Sequence, residues 1–578
     1  MTLRVTLSLD DAQRRLLDAP TTERRVVIAG PGAGKTTASI ELAREIGDRQ
    51  SPTGDDRAVL FVSFSRAAMA AAFTSFGSTA EPALVDVAAM TLDSLAWQLT
   101  ETSGDPHGPE PDFENVIRRA TEKLRSDYDE EIDAVAHLIV DEAQDMSTVR
   151  RDFLYAIIDR LPDDAGVTVF GDPLQSIYEF LDTASDGVES AWESLVAGLA
   201  ARSITATYVL DGAHRARRRG PKKVAAVIDG LRSAGSRQQV SLLDDLITDL
   251  THLEIGEFVA DSRGWTGTTA VLTRTNLDAT HLFETIASAG VACGWNEPGR
   301  PRPRVAPWVA QLWASVDGNP LTRRDFMVFA ASGAHLDSEW FRLMLTEGDG
   351  GDSVDWQKLV RSLRAGVDPS SPWYVVPESD VLVSTIHQSK GLEWDNVAVV
   401  DAEGLLRDVG CRDPETELLS VALSRARDRV VVVDWRSPFT KSRPGGGLRY
   451  VPHPKNRQPT AVQLTPDVIR TDKPSGGREA QQVLGSCDRN APVEFDLLES
   501  GAAEWPTYRC RIEGTTVGVT SKCFGRRLAA VAGRPHRWPS LGSVPTDGVE
   551  TVWATSNGLQ MWLVPRPFGM AEVTWGAE

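Results

Sequence analysis

The fold of this chain is decided by one stretch, Val26-Val27-Ile28-Ala29-Gly30-Pro31-Gly32-Ala33-Gly34-Lys35-Thr36-Thr37. Its apolar start predicts a buried strand, its small residues leave backbone N–H groups uncovered, and a helical pattern begins at Lys35. In such a P-loop the amides hold the β- and γ-phosphates, the lysine reaches their oxygens, and the Thr36 hydroxyl ligates Mg²⁺. A glycine-rich turn that binds nothing would not explain a Lys-Thr pair directly after it. We therefore expect a nucleotide site that includes every residue from Ala29 to Thr37.

A second apolar strand, at residues 137–140, ends in the adjacent carboxylates Asp141 and Glu142. Two carboxylates at the carboxyl end of a strand suit different tasks: Asp141 can share Mg²⁺ with Thr36, and Glu142 can orient and deprotonate the attacking water. An acidic cluster is more often a solvated loop, but its combination with a P-loop favours catalysis. A third strand, at 167–170, leads into a loop in which Gln175 is placed to sense the γ-phosphate.

The composition fits a large protein made of several folded units. A chain of 578 residues is too long for one core, and its 41% hydrophobic and 25% charged residues are typical of globular proteins. No apolar run approaches the length of a membrane span and the N-terminus lacks a signal-peptide pattern, so we expect no membrane partner. The five cysteines form no Cys-x-x-Cys motif, which disfavours a disulfide framework or zinc site and indicates the cytoplasm. The net charge of −20 argues against coating nucleic acid with the whole surface but permits a local basic groove.

The order of the motifs resembles that of the UvrD/Rep-like helicases of superfamily 1. The resemblance extends over about residues 9 to 435 and is carried by eight elements. Besides the P-loop and a glutamine ahead of it, they are Phe61–Ala68, Thr91–Ala96, DEAQD at 141–145, GDPLQSIY at 171–178, STIHQSKGLEW at 384–394 and VALSRAR at 421–427.

The resemblance implies an ATP-dependent DNA helicase or translocase that uses ATP and Mg²⁺ and moves 3′ to 5′ on single-stranded or tailed duplex DNA. It implies that Gln13 reads the adenine, that Glu393 contacts the nucleotide, and that Arg215 and Arg425 reach the γ-phosphate, beside the catalytic roles of Lys35, Asp141, Glu142 and Gln175. It also implies DNA contacts, by stacking and by hydrogen bonds, from Phe64, Ser65, Arg66, Ser94, Tyr178, Phe180, Arg274, Thr385 and His387. Core packing is the alternative for the aromatic residues.

We expect an α/β fold with two RecA-like P-loop domains built on parallel sheets, small helical insertions and a small C-terminal all-β domain. The first RecA-like domain is predicted at 1–200, with a short insertion at about 99–135, and the second at 201–440, with a helical insertion at about 296–378. Within the latter, Trp308, Phe326, Trp340 and Trp356 suggest a small helical core. Residues 441–490, rich in proline, glycine and basic residues, are interpreted as a linker. The β domain, at 491–578, is a candidate surface for docking a protein partner or for binding nucleic acid.

Some positions depart from the family pattern. Thr37 and His214 stand where an arginine and a tyrosine usually enclose the adenine, and Asp93 stands where a histidine is usual. The insertions also look trimmed. They keep open a second function, that of a DNA-stimulated ATPase that senses DNA and gates a partner effector such as a nuclease in an anti-phage system. A recruitment module with a vestigial P-loop is disfavoured because the catalytic residues are intact.

Overall fold

The computed structural model describes residues 9–50, 57–63, 87–100, 113–126, 129–176, 191–212, 214–296, 304–331, 341, 344–345, 348, 352–365, 380–407, 415–436, 441–442, 447–455, 458–498, 505–532, 538–555 and 558–575. The chain divides into two compact units. Residues 1–251, 389–397 and 402–431 form the first unit, and residues 252–388, 398–401 and 432–578 form the second. The domain bounds expected from the sequence stay a prediction.

Six parallel strands form the first sheet. They are β1 (Arg24–Ala29), β2 (Ala58–Ser63), β3 (Val87–Thr91), β4 (Val135–Asp141), β5 (Gly166–Gly171) and β6 (Ala206–Leu210), in the order β3-β2-β4-β5-β1-β6. Strands β4 and β5 are buried along their whole length, as expected for a parallel sheet covered by helices. The described helices of this part are α1 (Asp11–Asp18), α2 (Lys35–Gln50), α3 (Leu92–Leu99), α4 (Phe113–Ser126), α5 (Glu130–Asp133), α6 (Thr148–Arg160) and α7 (Ala191–Ala200).

The strand order brings three loops of the first sheet together. Strand β5 lies between β4 and β1, so the segments that follow these three strands leave the sheet side by side at its carboxyl edge. The P-loop connects β1 to α2, and 3₁₀ helices at Ala143–Asp145 and Pro173–Gln175 follow β4 and β5. This edge therefore carries the motifs that the sequence links to nucleotide chemistry.

A second six-stranded sheet follows. The next strands along the chain are β7 (Thr251–Glu254), β8 (Thr269–Thr273), β9 (Cys293–Trp295), β10 (Leu321–Thr322), β11 (Ser353–Val354), β12 (Val381–Thr385), β13 (Trp394–Val400) and β14 (Ala426–Asp434). The sheet has the order β7-β14-β13-β8-β12-β9, while β10 and β11 pair with each other. Two parallel six-stranded sheets confirm the predicted α/β class with two RecA-like parts. The accompanying helices are α8 (Arg219–Leu231), α9 (Ser236–Thr248), α10 (Ile255–Ser262), α11 (Asn276–Ser288), α12 (Pro307–Ser315), α13 (Arg323–Phe329), α14 (Trp356–Ala365), α15 (Ala402–Leu406) and α16 (Thr416–Leu423).

The C-terminal region contains a nine-stranded sheet whose described strand pairs are antiparallel. Its strands are β15 (Lys441–Ser442), β16 (Arg449–Pro452), β17 (Pro459–Leu464), β18 (Pro492–Leu497), β19 (Tyr508–Ile512), β20 (Thr515–Val519), β21 (Ser540–Ala554), β22 (Gln560–Pro567) and β23 (Gly569–Thr574). Two helices, α17 (Arg478–Gly485) and α18 (Lys522–Ala532), accompany it. The predicted C-terminal β structure is therefore present.

Residues 441–490 form regular structure where a linker was expected. Strand β17 pairs with β23, and Val462 and Leu464 on it are completely buried. Gln463 between them is only half-buried, as expected for a strand with one face on a core. The composition suggested a linker because the partner strand lies more than one hundred residues further along the chain, beyond the reach of a local pattern.

The helical insertion and the C-terminal sheet share one hydrophobic core. Phe326 and Trp356 of the insertion are buried in the same cluster as Leu464 and Trp562 of the sheet, and α12 packs against β21 and β22. Trp308 packs against the same cluster, whereas Trp340 lies outside the described residues. The described aromatic residues of the insertion therefore do not form the separate small core that the sequence suggested. A short insertion buries too little surface for a core of its own, and the sheet supplies the missing face.

Candidate nucleotide site

The backbone of the P-loop has the geometry that phosphate binding requires. Gly32 and Gly34 have φ angles of 78° and 76°, in the region where only glycine is unstrained. A Cβ atom on Gly34 would lie 2.6 Å from Nε2 of Gln13. Helix α2 begins at Lys35, directly after these turns, so its free N–H groups face the loop.

Lys35 and Glu142 form a buried ion pair at the centre of the site. Lys35 Nζ lies 2.6 Å from Glu142 Oε2, which also accepts a hydrogen bond of 2.6 Å from Gln144 Nε2. Burial opposes ionisation of Glu142, but the positive charges of Lys35 and Lys390 prevail and lower its pKa to about 2. Glu142 also has a φ of 57°, a strained value for a non-glycine residue that holds its carboxylate toward the lysine. The pair thus keeps a charged carboxylate in a largely buried position.

Asp141 and Thr36 lie together beside this pair. Thr36 Oγ1 donates a hydrogen bond of 3.3 Å to Asp141 Oδ2, and Asp141 is fully buried. Burial, followed by the charge of Glu142, raises the pKa of Asp141 to about 7. A cation at this carboxylate would offset both effects, and a hydroxyl with a carboxylate oxygen is a donor set that Mg²⁺ accepts. No group of three or more His, Cys, Asp or Glu side chains suited to a metal occurs in the described ranges, so the remaining ligands would be phosphate and water oxygens.

Gln175 connects the third loop to Arg425. Gln175 Nε2 donates a hydrogen bond of 2.6 Å to Asp172 Oδ2, and Arg425 Nη2 donates one of 3.3 Å to Gln175 Oε1. Arg425 is 1% exposed, and burial together with the charge of Arg215 lowers its pKa to about 9. Its Nε atom donates to the carbonyl of Val421, which orients the guanidinium. Gln175 and Arg425, which were both predicted to lie at the γ-phosphate, are thus joined by a hydrogen bond.

Arg215 and Glu393 form a second ion pair next to the P-loop. Arg215 Nη2 lies 2.5 Å from Glu393 Oε1, and Arg215 Nη1 donates to the carbonyl of Ser424 at 2.9 Å. A Cβ atom on Gly32 would lie 2.8 Å from Cβ of Arg215, so the arginine backbone sits against the loop. Burial opposes ionisation of Glu393, but Arg215 and Arg427 lower its pKa. Glu393 is therefore held as a carboxylate by two guanidinium groups.

The residues expected near the adenine form a small polar cluster. Asp10 and Gln13 make a capping box at the start of α1, and Gln13 Nε2 donates to the carbonyl of Ala33 at 3.2 Å. The imidazole of His214, which replaces the usual tyrosine, lies 2.8 Å from Asp10 Oδ2. The carboxylate of Asp10 thus orients the imidazole ring of His214.

Sequence reasoning gave no role to two residues that complete the site. Lys390 pairs with Asp145 and also donates to the carbonyl of Gln175. Gln144 bridges two loops, because its Oε1 accepts from the N–H of Asp172 while its Nε2 binds Glu142. Both residues stand inside motifs that were matched, so their positions were visible, whereas their contacts between loops were not.

The residues expected to bind DNA are only partly described. Phe64, Ser65, Arg66, Tyr178 and Phe180 lie outside the described residues. In the first unit Ser94 is exposed, and its hydroxyl lies 2.7 Å from Thr91 Oγ1. Its neighbour Asp93, at the unusual position, accepts two hydrogen bonds of 2.9 Å from Arg150.

In the second unit, three of the expected DNA-binding residues lie at or just after the ends of two neighbouring strands. Thr273 at the end of β8 is paired with Thr385 at the end of β12, so Arg274 and His387 leave the same edge of the sheet. Thr385 Oγ1 accepts a hydrogen bond of 3.4 Å from the N–H of Gln388. The structure therefore brings Arg274, Thr385 and His387 into one region.

Comparison with known proteins agrees with this geometry. The AAA domain family matches residues 13–181, and the UvrD-like helicase C-terminal domain family matches residues 380–433. No curated protein shows a significant match.

Among solved structures, the chain is similar to the Pif1 helicase from Candida albicans, at 14% identity over 74% of this chain and 95% of that one, with a TM-score of 0.37. It is also similar to Bacteroides Pif1 bound to ssDNA, at 15% identity over 74% of this chain and 92% of that one, with a TM-score of 0.35. These whole-chain likenesses are weak, so the assignment depends on the two family matches and the site. Together they support a likeness of this chain to the UvrD-like helicases of superfamily 1.

Proposed function

We propose that the protein is an ATP-dependent DNA helicase or translocase that moves 3′ to 5′ on single-stranded DNA and unwinds duplexes. The observation that carries the proposal is the buried network in which Lys35 holds Glu142 and Arg425 holds Gln175. Buried charges are costly unless they serve a specific partner, and this set has the charges that phosphoryl transfer to water requires.

A bound nucleotide would replace the contact between Lys35 and Glu142, and the proposed chemistry follows from this replacement. A β- or γ-phosphate oxygen takes the place of the Glu142 carboxylate on Lys35, since both are anions of similar hydrogen-bonding geometry. Glu142 is then available to orient and deprotonate water. Thr36 and Asp141 would hold Mg²⁺, which when bound neutralises charge on the phosphates. Arg425 and Arg215 supply positive charge to the transferred phosphoryl group.

Coupling to DNA is supported by the connections of the nucleotide loops. Gln175 is the next-to-last described residue of its motif, and Tyr178 and Phe180, the proposed stacking residues, follow it in the sequence. A change at the γ-phosphate that alters the contact between Gln175 and Arg425 would be passed directly along the chain to the bases. In the second unit, Arg274, Thr385 and His387 would hold the DNA backbone.

A second function is favoured by the packing of the first insertion. Helix α4, its main described element, packs on α3 and α6, and its residues Ile117, Ala120 and Leu124 are buried in the core of the first sheet. A helix used in this way cannot engage duplex DNA as a projecting subdomain would. This supports a DNA-stimulated ATPase that senses DNA and gates a partner effector such as a nuclease, with the C-terminal sheet as the docking surface. None of the described helices is long and apolar enough to cross a bilayer, and we propose a cytoplasmic location.

A strand-displacement assay separates these functions. Duplexes with a 3′ tail, a 5′ tail or blunt ends are incubated with the protein, ATP and Mg²⁺, and Glu142→Gln serves as the inactive control. The helicase proposal predicts displacement of the 3′-tailed duplex alone. DNA-stimulated hydrolysis without displacement of any duplex would favour the sensing ATPase. Displacement that persists in Glu142→Gln would contradict both assignments.

A further inference from the structure

A third arginine lies against the P-loop, from a position that no motif includes. Arg232 directly follows α8, and its guanidinium packs onto Gly30. A Cβ atom on Gly30 would lie 2.1 Å from Arg232 Nη2 and 3.1 Å from Arg232 Cζ. Glycine at this position of the loop is therefore what allows the guanidinium to approach the phosphate-binding backbone.

The guanidinium of Arg232 is poorly satisfied where it lies. Arg232 Nη1 donates a hydrogen bond of 2.6 Å to Asp229 Oδ1. Nη2 is 3.8 Å from Asp172 Oδ1, which is too long for a hydrogen bond, and both Nε and Nη2 are buried without an acceptor among the described residues. A buried donor without an acceptor is costly, which points to a partner that arrives with the ligand.

The surroundings identify the chemistry of that partner. Asp172 belongs to the loop of Gln175, whose amide contacts Arg425, so Arg232 faces the P-loop and the γ-phosphate-sensing loop at once. Asp229, its ion-pair partner, lines a cleft of about 180 Å³ together with Gly30, Pro31 and Ala33 of the P-loop. A phosphate group presents several anionic acceptors, and a planar guanidinium binds two of them at once.

We propose that Arg232 binds the terminal phosphate of the nucleotide and makes the site discriminate ATP from ADP. The inference rests on the proposed function, since it requires the P-loop to bind ATP. Arg232 gains acceptors for Nε and Nη2 when the γ-phosphate is present and loses them when the phosphate leaves. Arg232 therefore moves against Gly30 and Asp172 when the γ-phosphate binds or leaves. This movement makes the site respond to the nucleotide through a third arginine, in addition to Arg215 and Arg425.

The test compares binding of ATPγS and ADP, each with Mg²⁺, by titration calorimetry of the full chain. The variants are Arg232→Ala, Arg232→Lys and, as a matched control, Arg237→Ala on the exposed surface of α9. Loss of charge-assisted hydrogen bonds predicts about 10- to 100-fold weaker ATPγS binding in Arg232→Ala and less than about twofold change for ADP. Arg232→Lys should recover part of the loss, and Arg237→Ala should match the wild type.

The binding data distinguish a failure of the role of Arg232 from a failure of the proposed function. Equal weakening of both nucleotides, or a lowered melting temperature with unchanged discrimination, would show that Arg232 only supports the loop and would overturn the inference. Unchanged ATPγS affinity in Arg232→Ala, with DNA-stimulated hydrolysis intact in the wild type, would overturn the inference alone. A wild-type chain that binds neither nucleotide would overturn both.

Discussion

The ion pair between Lys35 and Glu142 contributes both to the stability of the fold and to ATP hydrolysis, and substitutions can separate the two contributions. Replacing Lys35 by Met removes the charge and leaves a buried carboxylate. Breaking one side of a buried pair costs about 3–5 kcal/mol. Glu142 keeps the hydrogen bond from Gln144 and the positive charge of Lys390, so we expect a loss at the lower end, about 3 kcal/mol in the free energy of unfolding. This corresponds to a factor of about 150 in the folding equilibrium.

The double variant Lys35→Met with Glu142→Gln tests the cause of that loss. Because the neutral amide needs no counter-charge, we expect it to restore at least about half of the stability. ATP hydrolysis should remain reduced by about a hundredfold or more in both variants. Urea unfolding followed by tryptophan fluorescence measures the stability, with Lys473→Met on the surface as the control. A single variant as stable as the wild type, or a double variant no more stable than the single one, would refute the reasoning.

Three further predictions concern other buried ionisable groups. Arg425→Ala should reduce turnover by about 10³-fold while changing ATP affinity little, because the guanidinium acts on transition-state charge; equal loss of both, measured by steady-state kinetics, would contradict this. His137 is kept neutral by burial, which lowers its pKa to about 3, whereas the unfolded chain protonates it below about pH 6.5. Its contribution to the free energy of unfolding is therefore complete above pH 6.5 and is lost at about 1.4 kcal/mol per pH unit as the pH falls toward 3. In denaturant titrations at pH 7, 6 and 5, His137→Gln should make the free energy of unfolding less dependent on pH. Asp547→Asn should destabilise the second unit by about 3 kcal/mol, because Asp547 is fully buried against Arg304 and Arg566, and unchanged urea unfolding would show that the arginines need no counter-charge.

The parts of the site that follow strands were predictable from the sequence. Strands β1, β4 and β5 are apolar runs that end directly before their motifs, and helix α2 begins at Lys35 as expected. Parallel pairing then places the three loops at one edge of the sheet. The strand order β4-β5-β1, which makes these loops neighbours, is not encoded in any local pattern.

The contacts between distant segments could not be predicted in this way. Arg232 reaches Gly30 from the end of α8, and an arginine at the end of a helix is normally a solvated residue. The pairing of β17 with β23 and the core shared by the insertion and the C-terminal sheet depend on tertiary packing. No periodicity within either segment encodes its partner, so composition suggested a linker in one case and a separate core in the other.

The most direct test of the central claim is steady-state ATP hydrolysis with and without single-stranded DNA. The wild type should hydrolyse ATP slowly alone and much faster when DNA is added, because the loop of Gln175 continues into the proposed stacking residues. Glu142→Gln should bind ATP but hydrolyse it at least about a hundredfold more slowly under both conditions. Hydrolysis that DNA does not change, or near-normal DNA-stimulated turnover in Glu142→Gln, would contradict the assignment of this site as the motor of a DNA helicase.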